Sequence, residues 1–89
     1  MKTQNKKATI IHILKVVYCY TSENYTVTQT SIAKYLNDLG ILCDRKTVGR
    51  NLKYLIDAGV PIKRKNGKNG GYYYDIENDK FFERIKLEV

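Results

Sequence analysis

Eight Lys or Arg lie between positions 44 and 71 (Arg45, Lys46, Arg50, Lys53, Lys63, Arg64, Lys65 and Lys68) against two acids, Asp44 and Asp57. The difference, +6, is nearly the whole of the chain's formal +7. Charge held at one address, with amides, a threonine and tyrosines interleaved, suits an anionic polymer whose edges can be read by hydrogen bonds. A guanidinium can grip guanine in a bidentate pair, a lysine can neutralise a phosphate, and a threonine methyl can touch thymine.

The first half of this block reads as one helix. Asp44 is placed to cap it, and Val48, Leu52, Leu55 and Ile56 form its buried stripe. With Val48 pointing inward and about 100° between residues, Lys46, Arg50, Lys53 and Asp57 fall opposite the core, with Thr47 and Tyr54 on the adjoining flank. Arg45 sits in the first turn, free to swing to either side. Groove readers of this kind use the N-terminal half of the helix, which here holds Arg45, Lys46, Thr47, Arg50 and Asn51. Arg50 is the best placed for guanine, while Asn51, which could read adenine, lies nearer the shoulder. Gly49 inside a helix costs about 1 kcal/mol relative to alanine and predicts a close neighbour, either the preceding helix, which is the simpler reading, or a phosphate.

The second half reads as a hairpin. Ile62–Lys65 and Tyr72–Ile76 have β character and flank NGKNGG, whose residues tolerate positive φ. Alternation exposes Lys63 and Lys65 when Ile62 faces inward, and leaves Arg64 to find an edge or a partner. Lys68 is the charge at the tip, suited to a phosphate or a minor groove. Of Tyr72, Tyr73 and Tyr74, alternate rings are expected to pack and the other to be exposed; three adjacent aromatics do not share the face that a stacking platform needs.

The rest of the chain must hold these two parts together. Ala8–Tyr20 carries Ile10, Ile11, Leu14, Val17 and Tyr18 at helical spacing. Tyr25-Thr26-Val27 predicts a short strand. Thr28 is the expected N-cap of a second helix with Ile32, Tyr35, Leu36 and Leu39 on one face, closing at Gly40. Asn78 is placed to cap a last helix that carries Phe81, Phe82 and Ile85. The expected fold is α+β: a small winged helix-turn-helix over residues 1–76, with three helices, a short first strand and a β-hairpin wing, followed by a C-terminal helix over 77–89. The expected function is sequence-specific binding of double-stranded DNA, with helix 44–58 in the major groove and wing 62–76 on the backbone or minor groove. Phe81, Phe82 and Ile85 are apolar enough to predict a homodimer through the C-terminal helix, which would set two recognition helices on half-sites about one turn apart.

Composition narrows the alternatives. Eighty-nine residues make one domain, and no apolar run approaches the roughly 20 residues of a membrane span. The opening MKTQNKKATIIHIL places Lys before apolar residues but lacks a small-residue cleavage site, so a cytoplasmic protein is expected. Cys19 and Cys43 sit among apolar neighbours without metal-ligand spacing and are expected to be reduced core residues. No HxxxH, CxxC, GxSxG or P-loop pattern is present and His12 stands alone, so neither an enzyme nor a cofactor is expected. The rival class is an interaction module: a small phage-type winged-helix protein that binds a host protein such as a nuclease. Its basic charge argues against mimicry of DNA.

The segments TQTSIAKYL, ILCDRKTVGRNLKYLIDAGVPI and NGGYYY resemble the N-terminal winged-helix domain of bacterial WYL-domain transcription regulators and, more loosely, DeoR-like regulators. The likeness spans roughly residues 8–74. Its most specific parts are DRKTVGRNLKYLIDAGVPI and GGYYY. The resemblance implies DNA contacts from Arg45, Lys46, Thr47, Arg50, Lys63, Lys65 and Lys68, and a role in transcription that leaves both activation and repression open. Those regulators continue into a ligand-sensing domain, whereas this sequence stops at Val89. The expectation is either a DNA-binding part of a larger regulator or a short protein that uses the module alone.

Overall fold

The computed structural model describes residues 6–68 and 70–79. Three helices, α1 (Lys6–Tyr20), α2 (Gln29–Asp38) and α3 (Arg45–Asp57), precede an antiparallel hairpin of β1 (Ile62–Lys65) and β2 (Gly71–Tyr74) and a 3-10 turn at Ile76–Asn78. This is a small α+β fold with the helix order and hairpin of a winged-helix shape.

Local chemistry sets the helix boundaries. Thr28 is extended and accepts from the Ser31 backbone N–H at 3.0 Å, while Ser31 Oγ accepts from the Thr28 N–H at 3.0 Å, so serine completes a reciprocal cap. Asp44 Oδ1 accepts from the Thr47 N–H at 2.8 Å, and that bond holds its carboxyl below the usual range. Gly40 follows the C-cap of α2 as expected.

The core is Ile13, Val16 and Val17 of α1, Ile32, Ala33 and Leu36 of α2, Val48, Leu52 and Leu55 of α3, with Val60, Ile62 and Tyr74 from the hairpin side. Burying each large aliphatic side chain contributes about 1.5–3 kcal/mol. The buried face of α1 differs from the expected stripe. It follows the i, i+4, i+7, i+8 series from Thr9 through Ile13, Val16 and Val17, one residue earlier, while Ile11 and Tyr18 are exposed and Ile10 and Leu14 pack at the margin. Tyr35, Leu39 and Ile56, expected inside, are also exposed, because Ala33 and Leu55 take the central positions.

The hairpin pairs Ile62 with Tyr74, Lys63 with Tyr73, Arg64 with Tyr72 and Lys65 with Gly71. Tyr74 is buried and meets Tyr18 edge-on at 4.8 Å, and its backbone N–H donates to Thr21 Oγ1 at 2.8 Å, which itself donates to the Val17 carbonyl at 2.6 Å. Burial, with Asp79 beside it, pushes the Tyr74 phenol well above its ordinary pKa. Tyr72 packs against the core margin as expected for the alternate rings, but Tyr73, expected to be exposed, is half-buried like Tyr72.

The short strand expected at 25–27 is corrected to isolated bridges. Val27 exchanges two backbone bonds with Tyr72, at 3.0 and 2.7 Å, and Ser22 bridges Tyr25, but no ladder follows. Gly71 permits this approach, since a Cβ there would lie 2.5 Å from the Val27 carbonyl oxygen. Both cysteines are free, as expected, and Cys43 is half-buried against the core margin; Cys19 is corrected, since it is exposed rather than a core residue. Residues 77 and 78, expected to open the C-terminal helix, belong to the 3-10 turn, where Asn78 Nδ2 donates to Asp75 Oδ2 at 2.7 Å. The remainder of that helix, with Phe81, Phe82 and Ile85, lies outside the described residues. No helix among the described residues is long and apolar enough to cross a membrane.

Candidate nucleic-acid interface

The face of α3 opposite Val48, Leu52 and Leu55 is the one the sequence marked. Lys46, Arg50, Lys53 and Tyr54 are exposed on it, and Thr47 is half-buried at its edge. Arg50 Nη2 donates to Thr47 Oγ1 at 3.3 Å, so the guanidinium lies back along its own helix and can swing outward for the loss of one exposed bond. Lys53 pairs with Asp57 at 3.6 Å, both largely exposed, a contact too weak to withhold the ammonium from a phosphate. Asn51 Nδ2 donates to the Thr47 carbonyl at 2.9 Å one turn back, which engages one of its two amide hydrogens.

The N-terminal ends of α2 and α3 meet the hairpin through Gln29. Its Nε2 donates to the Arg45 carbonyl at 2.9 Å, and its Oε1 accepts from the Tyr72 hydroxyl at 3.1 Å. One side chain thereby ties α2, α3 and β2. Gly49 explains itself here: a Cβ would lie 2.6 Å from Gln29 Nε2, confirming the close packing on the preceding helix expected for this glycine. In an ordinary helix Gly→Ala stabilises by about 1 kcal/mol. Gly49→Ala is expected to show no such gain, because displacing Gln29 gives up two bonds worth roughly 0.5–1.5 kcal/mol each. A melting temperature raised by about 4 °C or more would show that Gln29 is no such tie.

The hairpin supplies a second set of cations. Lys63, Arg64, Lys65 and Lys68 are all exposed. Lys65 Nζ donates to the Glu23 carbonyl at 2.9 Å, which draws the side chain across the hairpin face toward the 22–25 turn. Arg64 finds the partner that the sequence left open: its guanidinium lies 5.7 Å from the centre of the Tyr72 ring. Between the hairpin and the helix ends lies a depression of about 320 Å³, whose lining includes Thr28, Gln29, Thr30, Arg45, Arg64 and Lys65.

The structure thus brings Arg45 together with Lys65, while Lys46, Arg50 and Lys53 stand on the outer face of α3 and Lys68 at the hairpin tip. Sequence reasoning missed Arg64 and the Thr28-Gln29-Thr30 start of α2 as parts of this surface. The signal was present in the polar run TQTS at a helix N-terminus, where unsatisfied backbone N–H groups favour anions. Among the described residues, no group of three His, Cys, Asp or Glu side chains could hold a metal ion. In comparison with known proteins, the chain matches no family model, no curated protein and no solved structure.

Proposed function

We propose that the chain is a sequence-specific double-stranded DNA-binding protein that regulates transcription, with α3 in the major groove and the β1–β2 hairpin on the adjacent backbone or minor groove. The observation that carries this reading is the shared depression in which Arg45 of α3 and Arg64 and Lys65 of β1 face one space, with Lys46 and Arg50 exposed on the same helix as Arg45. Helix and hairpin therefore offer charge to a single polyanion, while base-edge chemistry is confined to α3. Arg50 reads a base, Arg45, Lys65 and Lys68 hold phosphates, and Thr47 borders the groove. The WYL-domain and DeoR-like resemblance of residues 8–74 agrees with a regulator acting in the cytoplasm. Residues 77–89 supply the homodimer contact, with Phe81, Phe82 and Ile85 as its apolar side.

Anisotropy titrations on duplex DNA, single-stranded DNA and RNA over a salt series test this. Duplex is expected to bind best, with log affinity falling linearly in log salt by about 0.9 per phosphate contacted. Lys68→Ala should weaken all duplexes alike and reduce that slope by about 1. The stoichiometry of the same titrations on a palindromic site reports the dimer. Absence of a salt-dependent preference for duplex would sink the proposal, and capture of a protein partner by the same surface would replace it.

A further inference from the structure

Three depressions meet in sequence beside the hairpin. The cation-lined one described above shares Thr28, Lys65, Asn66 and Gly70 with a second of about 670 Å³, in which Lys65 and Lys68 face the Glu23–Thr26 segment. Tyr25 then belongs both to the second and to a third, of about 380 Å³. The third has a different chemistry. Val16, Val27 and Ile32 form its floor, and Tyr20, Tyr25 and Tyr35 its rim. Those rings are 54%, 65% and 38% exposed, so the core does not consume them. Tyr20 and Tyr35 brace each other at 6.1 Å between ring centres, inclined at 60°.

Across all three depressions the lining carries four cations, Arg45, Arg64, Lys65 and Lys68, against one carboxylate, Glu23. The surface therefore passes from positive charge to uncharged aromatic faces without a break. A polymer that alternates phosphates with flat π-faces matches both ends. Duplex DNA offers only the phosphates, because its bases are stacked inside; an unpaired end offers both. We propose that the depression rimmed by Tyr20, Tyr25 and Tyr35 takes an unpaired nucleobase of a DNA strand whose phosphates lie on Lys65 and Lys68. This rests on the duplex-binding reading above and extends it: the protein favours a duplex with a single-stranded flank beside the wing.

The test compares a labelled blunt duplex with the same duplex carrying 5′ or 3′ overhangs of about four nucleotides, and with an abasic overhang. One overhang polarity is expected to bind roughly tenfold more tightly than the blunt duplex, and the abasic overhang to lose that gain. Tyr25→Leu, which keeps apolar bulk at an exposed site, should abolish the gain and leave blunt-duplex affinity unchanged, whereas Tyr25→Phe should retain it. Equal affinity for blunt and overhung duplexes in both polarities overturns this inference and leaves duplex binding standing. Failure to bind any duplex overturns both. If sedimentation shows that Tyr25→Leu dissolves a dimer and the overhang gain persists, the depression is a self-association surface and the inference falls.

Discussion

Arg50→Ala is expected to lower affinity for a selected operator by roughly 5- to 150-fold while leaving affinity for unrelated duplexes within a few-fold of the parent, because a bidentate guanidinium–guanine pair contributes about 1–3 kcal/mol of discrimination. The asymmetry follows from where the side chain sits. Arg50 is exposed on the outer face of α3, where it donates to Thr47 Oγ1 at 3.3 Å and its charge also favours the ionised Asp44 carboxyl. Truncation therefore removes no buried contact and should leave the melting temperature nearly unchanged. Lysine at the same position keeps the charge but loses the planar fork, so Arg50→Lys should recover non-specific binding without recovering sequence choice. Operator selection followed by anisotropy on the selected and a scrambled duplex reads both quantities. An equal loss on the two duplexes would make Arg50 a phosphate contact and move base reading to Lys46 or Arg45.

Features fixed by short-range chemistry were readable from the residues alone. Asp44 and Thr28 cap because a short oxygen-bearing side chain just before an apolar stripe has one evident use. The outer face of α3 was readable because Val48, Leu52 and Leu55 define one narrow stripe and the cations lie opposite. Helix α1 was harder. Apolar residues occupy Ile10, Ile11, Ile13, Leu14, Val16, Val17 and Tyr18, so several faces qualify, and the chosen one begins at a polar residue, Thr9. Only packing against α3 and β2 selects it. The bridge at Val27 was expected as a strand because its β-branched character is local, whereas the length of a ladder depends on a partner across the fold. Cys19 was misplaced for the same reason: apolar neighbours in sequence are not neighbours in space. The tyrosine depression lay beyond sequence pattern altogether, since Tyr20, Tyr25 and Tyr35 come from the end of α1, the following turn and α2.

Leu52→Ala is expected to be the most damaging single truncation in α3, costing about 2–5 kcal/mol. Leu52 is 1% exposed in the core cluster, on the helix that packs against α1, α2 and β1 at once, so no one element can close over the vacated volume. Domains of this kind hold about 5–15 kcal/mol in all, and each kcal/mol shifts the melting temperature by roughly 4–8 °C. A fall of roughly 8–40 °C is therefore expected. Ile56→Ala, on the same helix but 41% exposed, is expected to cost less than about half as much, and the contrast separates core packing from helix propensity, which is equal in the two changes to within a few tenths of a kcal/mol. Calorimetry on both variants decides; equal losses would mean that α3 is seated by some face other than the one carrying Val48, Leu52 and Leu55. The same pair tests how the fold serves the surface. At a temperature where Leu52→Ala remains folded, its exposed Lys46, Arg50 and Lys53 still share one helix face, so operator affinity should fall less than in Arg50→Ala. A larger fall in the core variant would mean that recognition depends on the angle at which the core holds α3 against the hairpin, with Gln29 too weak a tie to preserve it alone.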